Sequence, residues 1–208
     1  MGWEGPPAPY RIETERLVLR CYEPRDAPLL KEAIDSSLDH LRPWMPWVAA
    51  EPQTLEEKTE LVKLFRASFD SGENFTYAIF SADEAELFGG TGLHPRIGPG
   101  GLEIGYWIRA SAVRQGFATE SSAALTRVGF EVCGADRIEI RIEPGNEASF
   151  RVPRKLGFVE EATLRRRLPA REGGPLRDVT IFTLFREDFE PASAPDVEAF
   201  GARGERVL

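Results

Sequence analysis

Apolar positions along the chain switch between helical spacing and strict alternation, and each switch marks an element. Leu17-Val18-Leu19-Arg20-Cys21 reads as a strand, and Pro24-Arg25-Asp26 then offers an N-cap for a helix carrying Leu30, Ala33 and Ile34. Thr54 and Glu57 form a capping box. It opens a longer helix with Leu61, Leu64, Phe65 and Phe69 at helical spacing, ended by Gly72. Residues 75–81 and 87–93 read as a hairpin around Asp83-Glu84, and a Gly/Pro loop over 95–101 leads to a strand at 102–108.

The second half continues in the same way. Ala118, Ser121, Leu125, Val128 and Val132 mark one face of a helix that stops near Gly134. Arg137-Ile138-Glu139-Ile140-Arg141-Ile142-Glu143 alternates without a fault, predicting a strand with one buried and one charged face. After the turn Pro144-Gly145, Asn146 can cap a short helix ending at Gly157, and strands at 158–163 and 179–185 flank a loop over 169–176. The predicted order is β-α-α-β-β-β-α-β-α-β-β.

Residues 1–11 read as a flexible start, 12–190 as one domain, and 191–208 as a tail with only Val197 and Phe200 as anchors. Alone the tail is flexible; packing against the domain or a second copy would order it, which leaves a homodimer open.

Composition narrows the class. A chain of 208 residues forms one domain, burying roughly 70% of its unfolded surface. Net charge of −8 argues against nucleic-acid binding, which needs surplus Lys and Arg. No apolar run approaches the ~20 residues of a membrane span, and Met1-Gly2-Trp3-Glu4-Gly5-Pro6-Pro7 lacks the blocks of a signal peptide. A cytoplasmic protein without membrane contact is expected. Cys21 and Cys133 read as small core residues. His40 and His94 stand far apart without ligand partners at metal spacing, so no metal is expected and both read as ordinary histidines.

The segment Val113-Arg114-Gln115-Gly116-Phe117-Ala118-Thr119-Glu120, between the 102–108 strand and a helix, carries the most chemistry. Gly116 allows close backbone approach, and the free amides of a helix's first turn attract phosphate oxygens. It predicts a diphosphate-bearing ligand. Gly89-Gly90-Thr91-Gly92 lacks the lysine and following helix of a P-loop, which disfavours a nucleotide hydrolase.

This order, together with Thr14-Glu15-Arg16-Leu17, Trp44-Met45-Pro46-Trp47, Glu103-Ile104-Gly105-Tyr106-Trp107-Ile108, Gly116 to Glu120, Asn146-Glu147-Ala148-Ser149 and Lys155-Leu156-Gly157-Phe158, resembles the GCN5-related N-acetyltransferases (GNAT). Within them it is most similar to the RimJ/RimL branch of ribosomal-protein N-terminal acetyltransferases. The resemblance implies an α/β (α+β) GNAT-like fold: a central mixed, mostly antiparallel, splayed sheet with helices on both faces. It implies acetyl-CoA in the wedge between the strands of Ile104 and Ile140. Tyr106, Trp107 and Ile108 would meet the pantetheine arm, and Arg114, Gln115, Gly116, Phe117, Ala118 and Thr119 the pyrophosphate, with Asn146, Ser149 and Lys155 adding contacts.

Two departures stand out. Val113 replaces the family's first polar residue, and Pro153 occupies the place of the tyrosine that protonates the leaving thiolate in many relatives. A proline inside a helix should also disturb it. The resemblance implies Ser149 as the acid instead. Glu103, in apolar company, is the candidate base or water-positioner, unless an arginine pairs with it. Gly105 is either a bulge or the place where the acetyl group approaches the strand. Trp44 and Trp47 would border the acceptor pocket or pack in the core, Asp178 would bind the acceptor ammonium or form a salt bridge, and Glu143 reads as a surface charge. Arg165-Arg166-Arg167 reads as a solvated face. The expected reaction moves acetyl from acetyl-CoA to a primary amine by direct attack, with a protein N-terminal α-amine as acceptor. A small amine (an antibiotic or polyamine) or a non-catalytic acyl-CoA-binding domain are the alternatives.

Overall fold

The computed structural model describes residues 2–171, 174–191 and 195–208. Its strands are β1 (Arg11–Glu13), β2 (Leu17–Cys21), β3 (Phe75–Ser81), β4 (Leu87–His94), β5 (Gly101–Ile108), β6 (Arg137–Ile142), β7 (Val159–Leu168), β8 (Arg177–Phe185) and β9 (Glu198–Phe200). Its helices are α1 (Ala27–Asp35), α2 (Leu38–Leu41), α3 (Leu55–Asp70), α4 (Phe117–Glu131) and α5 (Glu147–Lys155). Every predicted element is present; β1, α2 and β9 are additions too short for a periodicity to reveal.

The strands form one sheet in the order β7-β8-β6-β5-β4-β3-β2-β1-β9. β5 and β6 run parallel, and the other neighbours pair antiparallel. Alternation on these strands feeds two cores. Leu19, Tyr77, Ile104 and Ile140 pack with Phe117, Leu125, Val128 and Phe150 of α4 and α5. Val18, Ala78 and Phe80 pack with Leu30, Ile34 and Val62 of α1 and α3. Helices thus cover both faces of the sheet.

The capping box forms as read: Glu57 N–H donates to Thr54 Oγ1 at 3.2 Å and Thr54 N–H to Glu57 Oε2 at 2.8 Å. The buried stripe of α3 differs from its sequence reading. Leu64 is 64% exposed, while Val62 and Phe69 are buried together with Lys58. Positions 58, 62, 65 and 69 form the row that meets the sheet, and Leu64 falls beside it.

Both chain ends depart from the expected flexibility. Trp3 N–H donates to Gly72 C=O at 2.9 Å, and Ala8 is buried. Residues Glu198–Phe200 add a strand beside β1, with Ile12 opposite Ala199, both fully buried. Backbone pairing at an open sheet edge, with Val197 and Ala199 tucked beneath, orders a segment whose composition suggests no order.

The feature that builds the site is where two parallel strands part. β5 and β6 pair from Gly101↔Arg137 to Ile104↔Ile140 and no further. Yet β5 stays on β4 out to Ile108, and β6 stays on β8 out to Ile142. The result is a V-shaped opening with unpaired backbone on its inner edges.

Candidate active site

A cavity of about 860 Å3 lies at this opening. Its walls come from β4, β5 and β6, the start of α5, and the loop between α2 and α3. Side chains alternate along β5, so Glu103, Gly105 and Trp107 face the α1/α3 side, and Ile104 and Tyr106 face the α4/α5 side. The cavity therefore reaches through the sheet where the strands separate.

At the other end of β5 the chain makes the turn that opens α4. Arg114 (φ +64°) and Gly116 (φ +87°) are left-handed. Among the described residues no backbone or side-chain acceptor takes the amides of residues 114–119. Glu120 N–H, next along, returns to Gly116 C=O at 3.0 Å. Successive unpartnered N–H groups beside a helix N-terminus form an anion cradle. Glycine at 116 takes the left-handed turn without the strain a side chain would add. The cradle is braced from the first hairpin: Thr14 Oγ1 donates to Glu120 Oε1 at 2.6 Å, Arg16 Nε to Glu120 Oε2 at 2.7 Å, and Arg16 Nη1 to Gln115 C=O at 3.0 Å. Arg16 also lies over the Phe117 ring, which stacks on Phe88 at 4.5 Å. Splayed strands and open amides together fit the diphosphate and amide-bearing arm of a CoA thioester.

Pro153 sits inside α5 without breaking it. Lacking an N–H, it cannot bond the carbonyl of Ser149 one turn earlier. That carbonyl instead accepts the Tyr106 hydroxyl at 3.2 Å, so the proline ties α5 to β5. Burial raises the Tyr106 pKa above its ordinary value, and its hydrogen bond to Ser149 opposes the rise. Ser149 N–H in turn donates to Asn146 Oδ1 at 3.2 Å, making Asn146 the N-cap of α5. Asn146, Ser149 and Tyr106 all line the cavity.

Among the described residues, every carboxylate lining the cavity is paired with a cationic side chain. Glu103 is held at both oxygens by Arg96 (Nη2 to Oε1 2.5 Å, Nε to Oε2 3.0 Å), with Arg141 Nε 3.8 Å away. Glu51 pairs with the fully buried Lys58. Glu143 pairs with Arg171 and Arg177, which corrects its reading as a surface charge. The arginine partner that would make Glu103 a structural ion is therefore present.

His94 lines the cavity beside this network. Burial, first, and the charge of Arg96, second, lower its pKa to about 4, against an opposing pull from Glu103. The folded state keeps it neutral where the unfolded chain takes up a proton, so stability is full above pH ~6.5 and falls as pH drops toward 4. His94→Gln should flatten this acid limb, leaving native protein about 3 kcal/mol more sensitive over that interval. Urea unfolding midpoints against pH measure it; parallel curves would refute the assignment.

The glycines of β4 are the floor of the site. A Cβ on Gly90 would lie 2.6 Å from Trp107 Nε1, and one on Gly92 2.8 Å from His94 Nε2. Each glycine makes room for a cavity side chain, a role that their resemblance to a phosphate loop does not suggest.

Of the residues singled out in the sequence, Trp44, Trp47, Glu103, Tyr106, Trp107, Asn146 and Ser149 meet in the cavity. Trp47 packs edge-on to Trp107 at 5.8 Å, and Arg171 lies 5.8 Å above Trp44. Asp178 does not join them: its Oδ1 accepts the Arg166 N–H at 2.8 Å within the β7–β8 pair, away from the cavity lining. Lys155 is exposed at the end of α5. Arg165 to Arg167 are exposed on β7, as a solvated face. Thr14, Arg16, Asn74 and His94 were not identified as site residues by spacing, because their partners lie 20 to 106 residues away; Lys58 sits only seven residues from Glu51, but a lysine in a helical stripe reads as solvated. No group of three or more His, Cys, Asp or Glu among the described residues could hold a metal ion, and none of their helices is long and apolar enough to cross a membrane.

A family model described as the Acetyltransferase (GNAT) domain matches residues 16–159. The chain is 28% identical over 176 residues to the uncharacterized N-acetyltransferase YoaA of Bacillus subtilis, covering 84% of this chain and 96% of that protein. Among solved structures it is similar to Mycobacterium smegmatis RimJ in complex with CoA-disulfide (TM-score 0.77, 25% identity, 87% of this chain and 90% of that one). RimL, a ribosomal L7/L12 α-N-protein acetyltransferase in complex with CoA, shares the fold (TM-score 0.74, 22% identity, 85% and 97%). With a splayed sheet, an open amide cradle and a family match over most of its length, the chain belongs to the GNAT acetyltransferases and takes its acetyl group from acetyl-CoA.

Proposed function

We propose that the acceptor is the N-terminal α-amine of a protein. The observation that carries this reading is that no carboxylate lining the cavity is left unpaired among the described residues: Glu51, Glu103 and Glu143 face Lys58, Arg96, Arg141 and Arg177. Such a site has no surplus negative charge to hold a polycation and no free carboxylate to strip a lysine. An α-amine with pKa ~8 is roughly a tenth neutral at pH 7, so its deprotonation costs about 1.4 kcal/mol, whereas a lysine near 10.4 costs over ~4 kcal/mol. The likeness to RimJ and RimL supports the same acceptor class.

Acetyl-CoA, when bound, supplies an acyl group activated as a thioester. Backbone groups of Trp107 and Ile108, freed where β5 leaves β6, would hold its pantetheine arm beside Tyr106. The amides of Arg114, Gln115, Gly116, Phe117, Ala118 and Thr119 would hold its pyrophosphate, leaving Lys155 a peripheral charge. Ser149, its amide fixed by Asn146, relays a proton to the departing sulfur. Glu103, engaged by Arg96, positions water and charge at the acceptor side. Trp44 and Trp47 wall the acceptor entrance.

Thiol release from acetyl-CoA, measured with N-terminal peptides, lysine peptides and small amines, tests the assignment. Release with α-amine peptides at least tenfold above the rest is expected. A preference for antibiotics or polyamines would overturn the acceptor class, and release with none would favour a binding-only domain.

A further inference from the structure

His94 closes β4 opposite Glu103, two register positions before Gly92↔Gly105, where β5 has already left β6. Its ring lies over those glycines: a Cβ on Gly105 would sit 3.4 Å from Nε2. Nδ1 is 2.5 Å from Asn74 Oδ1, while Asn74 Nδ2 donates to Thr76 Oγ1 at 3.2 Å. In this orientation the amide oxygen can only accept, so Nδ1 carries the ring proton and Nε2 presents a bare lone pair. No described protein group hydrogen-bonds Nε2. A second acceptor, Gln53 Oε1, is buried without a partner in the same cavity. An incoming amine can supply N–H groups to both.

We propose that Nε2 of His94 is the catalytic base that receives the proton of the attacking amine, with Asn74 as its positioning residue. This rests on reading the cavity as an amine site. The carboxylates are poor competitors: Arg96 occupies Glu103, Lys58 occupies Glu51, and Arg171 and Arg177 occupy Glu143. The nitrogen lone pair forms the N–C bond, the C–S bond breaks with its pair on sulfur, and the nitrogen's proton passes to Nε2 and then to solvent. Solvent returns a proton to sulfur through Ser149. A weak base suffices, because the nitrogen's acidity rises steeply as its lone pair enters the new bond. Burial, first, and the charge of Arg96 keep His94 neutral across the working pH range against the pull of Glu103, which Arg141 also approaches, so its ring is ready to accept.

Long-range 1H–15N NMR on the native protein should place the proton on Nδ1 from pH 5.5 to 8.5, and a saturating acceptor peptide should shift the Nε2 resonance. His94→Gln should lower kcat about 100-fold with the dissociation constant for CoA, measured by calorimetry, unchanged. Asn74→Asp sets a carboxylate on Nδ1, and should raise the His94 titration and add a matching acid limb to the kcat/KM profile. A proton on Nε2, an Nε2 shift indifferent to acceptor, kcat within threefold in His94→Gln, or a raised titration without a new limb would each overturn the proposal. A native protein inert toward every amine, with the NMR tautomer as stated, would instead locate the failure in the acceptor reading beneath it.

Discussion

Lys58→Met should lower the unfolding free energy by about 3–5 kcal/mol, because it leaves Glu51 buried and unpaired. Lys58 is fully buried and the Glu51 side chain is 3% exposed. Both line the cavity yet expose almost no surface, so the pair joins α3 to the loop that carries Trp44 and Trp47. An ammonium inside a helix stripe is tolerated here only because its partner arrives from that loop. Adding Glu51→Gln to the first change should recover most of the loss, since an amide is far cheaper to bury than a charge. Urea denaturation of both singles and the double closes the cycle. A single-variant loss below 1 kcal/mol, or a double variant no better than the single, would mean that the pair is solvated and does not anchor the acceptor loop.

Gly116→Val should weaken acetyl-CoA binding on the order of 100-fold, about 2.7 kcal/mol. A β-branched residue at φ +87° is strained, by roughly 1–3 kcal/mol, and relaxing that strain turns the neighbouring amides away from one another. The new side chain would also crowd Arg16, whose Nη2 lies 3.4 Å from the Cβ position and whose guanidinium braces Glu120. Loss of donor affinity should therefore exceed loss of stability. Calorimetric titration with CoA, paired with thermal unfolding, separates the two. Unchanged CoA affinity in a folded variant would remove the 114–119 amides from the donor site.

Much of the fold is legible in the chain because it rests on local periodicity. The faultless alternation of 137–143, the Thr54/Glu57 capping box and the Gly116 stop before an Ala-rich helix each encode an element within a few residues. Short segments escape this logic. β1 and β9 have three residues each, and their pairing depends on an edge elsewhere in the sheet. Leu64 illustrates another limit, since helical spacing names two overlapping rows and the sheet chooses between them.

The proposed donor half of the site is equally local: a strand, a left-handed glycine and a helix start lie within one stretch of chain, and the contacts proposed for the diphosphate are backbone amides. The acceptor half was not. Asn74 and His94 meet because the β3–β4 hairpin pairs Phe75 with Leu93, a register reached only after the irregularity between Ile79 and Phe80 shifts it by one residue. Without that shift the alternation would send one of the two side chains to the other face of the sheet. Thr14 with Arg16 reaching Glu120 is likewise a meeting between distant elements, whereas Arg96 with Glu103 and Lys58 with Glu51 lie seven residues apart and meet because a loop folds back on the element that follows it. Neighbours in the chain are enough to say which segments are helix or strand and where a diphosphate could be bound. Which charges are neutralised, and that the His94 Nε2 lone pair is left without a described partner, follows from pairing in space, because electrostatic contacts are settled by proximity after folding.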